Sequence, residues 1–225
     1  MRNADIGSFI DEIARISSPN AFNPYSDICA CYDRPNANQI RSLNLQRALE
    51  ACASADRFTL WIGRDLGYRG GRRTGIALVD DTTLNTYSKN IDSDLAIATV
   101  GPSINERTAS VVGRALARIT LPVFTWNVFP LHPFRRDDPF SNRPHTKEER
   151  RSTQFALRWL VDELQPDSIV AIGRDAQLAL TEMEISHLPA RHPSYGGQNE
   201  FLTAMEDIYN IDLRDHSEVS QMSFL

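Results

Sequence analysis

Three short polar stretches carry the residues with chemical potential. The first is Gly63-Arg64-Asp65-Leu66-Gly67, which continues through Arg69, Gly70, Gly71, Arg72 and Arg73. It places one carboxylate, Asp65, among four arginines in a glycine-rich loop. The second ends in Asn127, whose amide offers one acceptor and two donors. The third is Arg191-His192-Pro193-Ser194-Tyr195-Gly196-Gly197, with a histidine able to serve as a neutral hydrogen-bond donor near pH 7. Each has a plainer reading as well. An aspartate in a glycine loop is commonly a turn residue, an asparagine at a strand end can cap the next loop, and a histidine before proline is commonly structural. His132-Pro133 is a second such pair, in the proline-rich loop from Phe129 to His145.

The elements that must position these stretches follow from hydrophobic period and punctuation. Amphipathic helices are expected at 4–17 and 38–54, separated by a turn-rich segment containing Pro19, Pro24 and Pro35. Buried strands are expected at 58–62, 121–128, 168–172 and, more weakly, 185–190. Ser103 with Glu106, and Thr146 with Glu149, have capping-box spacing and open helices; the second runs to Leu164. Further helices are expected from Gly173 to about Met183 and at 198–210. Strands alternating with helices imply a three-layer α/β/α fold with a central, mostly parallel four-stranded sheet. Ligands bind such sheets outside the carboxyl ends of the strands, where the three polar stretches fall. One domain over 1–213 is expected, its first 55 residues helical, followed by a polar tail at 214–225.

The chain has 225 residues and a net charge of −5, weak evidence against nucleic acid when taken alone. The local distribution says otherwise. Lys89 and Lys147 are the sole lysines, so cationic contacts rest on arginine, whose fork suits phosphate. Cys29, Cys31 and Cys52 are too few for a disulfide framework or a four-cysteine cluster, so neither metal nor cofactor is expected. No apolar run suits a membrane, and a cytoplasmic monomer is the default expectation.

Taken together and in order, Gly63–Gly67, Thr125-Trp126-Asn127 and His192-Pro193-Ser194 resemble the motifs of the uracil-DNA glycosylase superfamily. The longer stretches Gly67–Gly70, Arg73-Thr74-Gly75-Ile76, Trp126–Pro133 and Arg191–Gly197 are similar to a bacterial branch that lacks an iron–sulfur cluster. The likeness spans about residues 57–202. It implies a glycosylase that flips a base from single- or double-stranded DNA and hydrolyses its N-glycosidic bond. It further implies that Asp65 orients water and stabilises the sugar cation, and that His192 donates to the base carbonyl. Asn127 then reads the base edge, with Leu78, Gly67 and Arg64 around it. By the same resemblance Arg69, Arg72, Arg73, Ser194 and Tyr195 are expected to contact DNA, and His132-Pro133 is assigned to loop structure or a DNA contact. Asp80 and Asp81 are alternatives for the carboxylate, because some branches place a polar catalytic residue after the threonine-glycine segment.

Four departures bear on substrate. Leu66 replaces an expected proline. Gly67 stands where one branch has a tyrosine that blocks 5-substituted pyrimidines. Leu78 stands where a phenylalanine stacks on the base, and Ala77 where the bacterial branch often has proline. A wider pocket is expected, accepting uracil or a bulkier 5-modified pyrimidine of phage type, in repair or in defence against foreign DNA. A protein that binds such a base without excising it is the alternative.

Overall fold

The computed structural model describes residues 5–213; the tail proposed at 214–225 lies outside them. In chain order the elements are α1 (Ile6–Ala14), β1 (Ala21–Phe22), α2 (Ala37–Ser54), β2 (Thr59–Asp65), α3 (Gly71–Thr74), α4 (Leu84–Asn90) and α5 (Arg107–Leu116). They continue with β3 (Val123–Phe129), β4 (His132–Pro133), α6 (Lys147–Ser152), α7 (Gln154–Leu164), β5 (Ser168–Ile172), α8 (Arg174–Glu182), β6 (Leu188–Ala190) and α9 (Gln198–Tyr209).

β3, β2, β5 and β6 form one sheet in that order, every neighbouring pair parallel. β2 and β3 are buried nearly throughout, as strands covered by helices on both faces must be. Trp61 on β2 is sealed by α9: its indole N–H donates to the Tyr209 hydroxyl at 2.7 Å, and its ring meets Phe201 edge-on. α1 and α7 close the other face, where Phe9 lies against Trp126 of β3 and stacks on Trp159 at 4.1 Å. The chain leaves β2 toward β3 and leaves β5 toward β6, so β2 and β5 are adjacent strands whose connections diverge. Their carboxyl ends therefore border a crevice, the usual ligand position in such sheets.

The Thr146/Glu149 capping box forms as expected, each side chain bonded to the other's backbone N–H. The Ser103/Glu106 box does not. Glu106 itself becomes the N-cap of α5, and no side chain caps that helix. The backbone N–H of Glu106 goes instead to Asp80 Oδ2 at 2.6 Å. The sequence expectation also omitted the short pieces α3, α4, β1 and β4, which exist through tertiary pairing. β1 and β4 are two-residue strands paired antiparallel, Phe22 opposite His132.

Arg72 and Arg73, expected on DNA, are instead buried, at 4 % and 2 % exposure. Arg73 donates to Asp81 at 2.6 Å and to Thr99, and lies over the Tyr32 ring. Arg72 donates to His132 Nδ1 at 3.0 Å and to the Pro139 carbonyl, and packs 4.1 Å from the Phe22 ring centroid. Glycine flexibility and α3 turn both side chains inward, where carboxylate, carbonyl and aromatic partners replace phosphate. Breaking the Arg73–Asp81 pair leaves an uncompensated buried charge, so Arg73→Met should cost about 3–5 kcal/mol of folding stability. Adding Asp81→Leu to that variant should restore much of the loss; denaturant unfolding of the single and double variants measures both.

Candidate active site

At the β2/β5 crevice lies a cavity of about 630 Å³, lined by residues 64–67, Gly71, Leu78, 106–108, Asn142 and Arg143, with 172–175, 191–192 and 194–195 opposite. Asp65, Arg64, Gly67, Leu78, His192, Ser194 and Tyr195 thus come together from distant stretches. Arg69 is exposed outside the lining, its guanidinium on Tyr68.

Asp65 ends β2, and its side chain is 6 % exposed. Arg64 Nε donates to Oδ2 at 2.6 Å, and His145 Nδ1 pairs with Oδ1. Both carboxylate oxygens are thereby fixed in direction, and each retains a further lone pair. His145 was not singled out from the sequence. Its signal is positional: it immediately precedes Thr146, the N-cap of α6, so a rigid helix start holds it. The loop after Asp65 is pinned to the same region, with Leu66 N–H on Leu131 O at 3.3 Å and Tyr68 N–H on Asn142 Oδ1 at 3.1 Å.

His192 follows β6. Its Nδ1 accepts the Ser194 backbone N–H at 3.2 Å and lies 2.7 Å from Ser194 Oγ. A backbone N–H only donates, so Nδ1 carries the lone pair and the proton resides on Nε2. Burial, reinforced by the charges of Arg64 and Arg191 and opposed by Asp175, lowers its pKa below 6.5. At neutral pH His192 is therefore an uncharged Nε2–H donor on the cavity wall. Gly173, with φ +87°, makes this possible, because a Cβ there would lie 3.1 Å from His192 Cβ.

Asn127 is 1 % exposed and is not among the lining residues. It sits on β3 opposite Gly63, and a Cβ on Gly63 would collide with its Oδ1. Neither amide atom of Asn127 has a hydrogen-bond partner, an unusual cost for a buried polar group. The same Gly63 position is 3.2 Å from Leu78 Cδ2, and Leu78 holds a left-handed φ of +62°. Leu78 thus separates this unsatisfied amide from the cavity it lines.

Asp80 and Asp81, the alternative carboxylates, are 0 % and 5 % exposed and do not line the cavity. Asp80 ties down Thr82, Thr83 and Glu106, and Asp81 serves Arg73. Ala77 is likewise buried away from it. The space expected at Gly67 is occupied: a Cβ there would lie 3.0 Å from Glu106 Oε1, and one on Gly70 would meet Oε2. The structure thus introduces a second carboxyl group that the sequence reading took for a helix cap.

His132 is a structural group. Arg72 donates to Nδ1, so Nε2 carries the proton and donates to Ser141 O at 2.8 Å. Burial, with the nearby charges of Arg72 and Arg143, lowers its pKa from 6.5 to about 4. Between those values the unfolded chain binds a proton that the folded chain does not. Stability is therefore full above pH 6.5 and falls as pH drops toward 4, by on the order of 3 kcal/mol across the window. Denaturant unfolding from pH 7 to pH 4 should show this slope, and His132→Gln should flatten it.

The uracil DNA glycosylase superfamily matches residues 58–214 of the chain. Among solved structures, the crystal structure of wild-type Pedobacter heparinus SMUG2 superposes with a TM-score of 0.60 at 13 % sequence identity. The match covers 90 % of this chain and 95 % of that one. No curated protein matches the chain.

Proposed function

We propose, for a chain that belongs to the uracil DNA glycosylase superfamily and is accordingly a hydrolase of N-glycosyl bonds in DNA, a reaction carried by His192 and Asp65. The observation that carries the reading is the forced tautomer of His192: a neutral imidazole with its N–H on the wall of the cavity that Asp65 also lines. Breaking the bond leaves its electron pair on the departing base and positive charge on the sugar. His192 Nε2–H donates to the base carbonyl oxygen as that charge grows, which a donor fixed in advance does without reorganisation. Asp65, aimed by Arg64 and His145, faces the sugar cation and orients the water whose oxygen bonds to C1′. The base leaves as an anion, the proton lost by the water passes through the Asp65 carboxylate and in the end neutralises that anion, and an abasic site remains.

A duplex hides this bond, so the nucleotide enters flipped. Asn127 is the natural reader of a pyrimidine edge, because its unsatisfied donors and acceptor gain partners when Leu78 yields to the base. The cavity falls within the range of about 300–1,000 Å³ found for sites that take drug-sized ligands. That room supports a base larger than uracil, a pyrimidine modified at the 5-position as in foreign phage-type DNA. Such a base lies with its 5-edge toward Gly67.

DNA contacts pass from Arg72 and Arg73 to the cavity rim. Arg107 and Arg174 are exposed, line the cavity and have no ion-pair partner among the described residues. Arg191 pairs loosely with Glu200 at 3.3 Å, an exposed contact easily exchanged for phosphate. Ser194 and the 96 % exposed Tyr195 complete this edge.

Two experiments test the reading. His192→Ala should lower the single-turnover rate of base release by on the order of 100-fold or more while DNA affinity is nearly kept; alkaline cleavage of the abasic product measures it, and wild-type turnover refutes the role. Arg107→Ala with Arg174→Ala should flatten the log–log salt dependence of duplex binding by roughly 0.9 per lost phosphate contact. Arg72→Ala should leave that slope unchanged.

A further inference from the structure

Glu106 is held by its backbone, and its side chain is left to the cavity. Its N–H is bound by Asp80 Oδ2, while Asp80 Oδ1 is taken by the N–H and hydroxyl groups of Thr82 and Thr83. As N-cap of α5 it makes no capping bond with its own carboxyl group. That group turns back over the 67–70 loop, into room left by two absent side chains, with Oε1 and Oε2 at 3.0 and 3.2 Å from where a Gly67 Cβ would stand. It lines the cavity with Asp65 and His192. Unlike Asp65, whose oxygens are both engaged, its side chain has no hydrogen bond or ion pair among the described residues. Burial, aided by the charge of Asp80 and opposed by Arg69, raises its pKa to about 7. A half-buried carboxyl group without a protein partner is open to one supplied by whatever fills the cavity.

We propose that Glu106 is a specificity-determining residue that accepts a hydrogen bond from a hydroxyl or amino group carried at the 5-position of the flipped base. This rests on the reading above that a pyrimidine enters with its 5-edge toward Gly67. Uracil presents a C–H at that edge and thymine a methyl group, and neither satisfies a carboxylate. A 5-hydroxymethyl group does, through its O–H. The glycines leave room for the Glu106 carboxyl group, which meets the substituent at the cavity wall, so polarity at the 5-position is what the site selects.

The test is single-turnover excision from three otherwise identical oligonucleotides carrying uracil, thymine or 5-hydroxymethyluracil. Wild type, Glu106→Leu and Glu106→Gln are compared. Wild type should release 5-hydroxymethyluracil faster than uracil, and Glu106→Leu should lower that ratio roughly tenfold or more, the effect of removing a charged acceptor. Glu106→Gln should lower it less, because the amide oxygen still accepts; it also keeps the ratio readable if the leucine variant does not fold. An unchanged ratio in both variants while uracil is still released overturns the role of Glu106 and leaves the excision reading standing. Equal losses on thymine and 5-hydroxymethyluracil mean that volume rather than hydrogen bonding is sensed, which also overturns it. No abasic product from any of the three with wild type overturns both readings.

Discussion

The structure around the cavity depends on guanidinium groups buried beneath the loop that follows β2. Arg73 neutralises Asp81, Arg72 stacks on Phe22 and reaches His132 and Pro139, and Arg41 pairs with Asp33 where both side chains are fully buried. Charges this dry are tolerated only when paired or hydrogen-bonded, and each of the three guanidinium groups has such a partner, although Arg72 Nε itself has none. The loop, the N-terminal segment and the 132–142 loop must therefore meet in one arrangement. Gly75 closes the seam with φ +76°, leaving no room for a side chain against Arg41 while its carbonyl accepts the Tyr25 hydroxyl. Satisfying these charges is what sets the cavity walls.

On that frame the candidate site residues are placed by close approaches at strand ends. Gly63 admits Asn127, and Gly173 admits His192. Parallel strands bring such positions side by side, and the divergence of the chain between β2 and β5 keeps the crevice above them clear. Three ionisable groups then share one cavity with three different fates. Asp65 is anchored on both oxygens, His192 is uncharged with its proton directed to Nε2, and Glu106 is left without a protein partner. Different environments divide the labour among groups that sequence alone would rank as equals.

Much of this was legible in the sequence because parallel strands are buried on both faces and appear as apolar runs. The β2, β3 and β5 runs marked the sheet, and the polar residues at their ends marked the cavity. Asp65, His192, Ser194 and Tyr195 were visible as ordered motifs and do line it. The arginine loop was misjudged for a definite reason. Composition reports that guanidinium groups are present, but their direction depends on α3 and on partners such as Asp81 and His132. The capping spacing at Ser103 and Glu106 misled similarly, because Asp80 outcompeted Ser103 for the Glu106 backbone N–H.

The sequence by itself determined the alternation of strands and helices, the order of the motifs and the family to which they belong, since each depends on local pattern. Tertiary structure decided what depends on non-local partners. It brought His145 across to Asp65, sent Arg72 and Arg73 inward, buried Asn127 behind Leu78 and laid Glu106 over Gly67. Asn127 and Glu106 are placed by packing around unpartnered polar atoms, whereas His145, Arg72 and Arg73 each settle a competition between water and a distant group. Such a contest is settled only when the chain has closed around it.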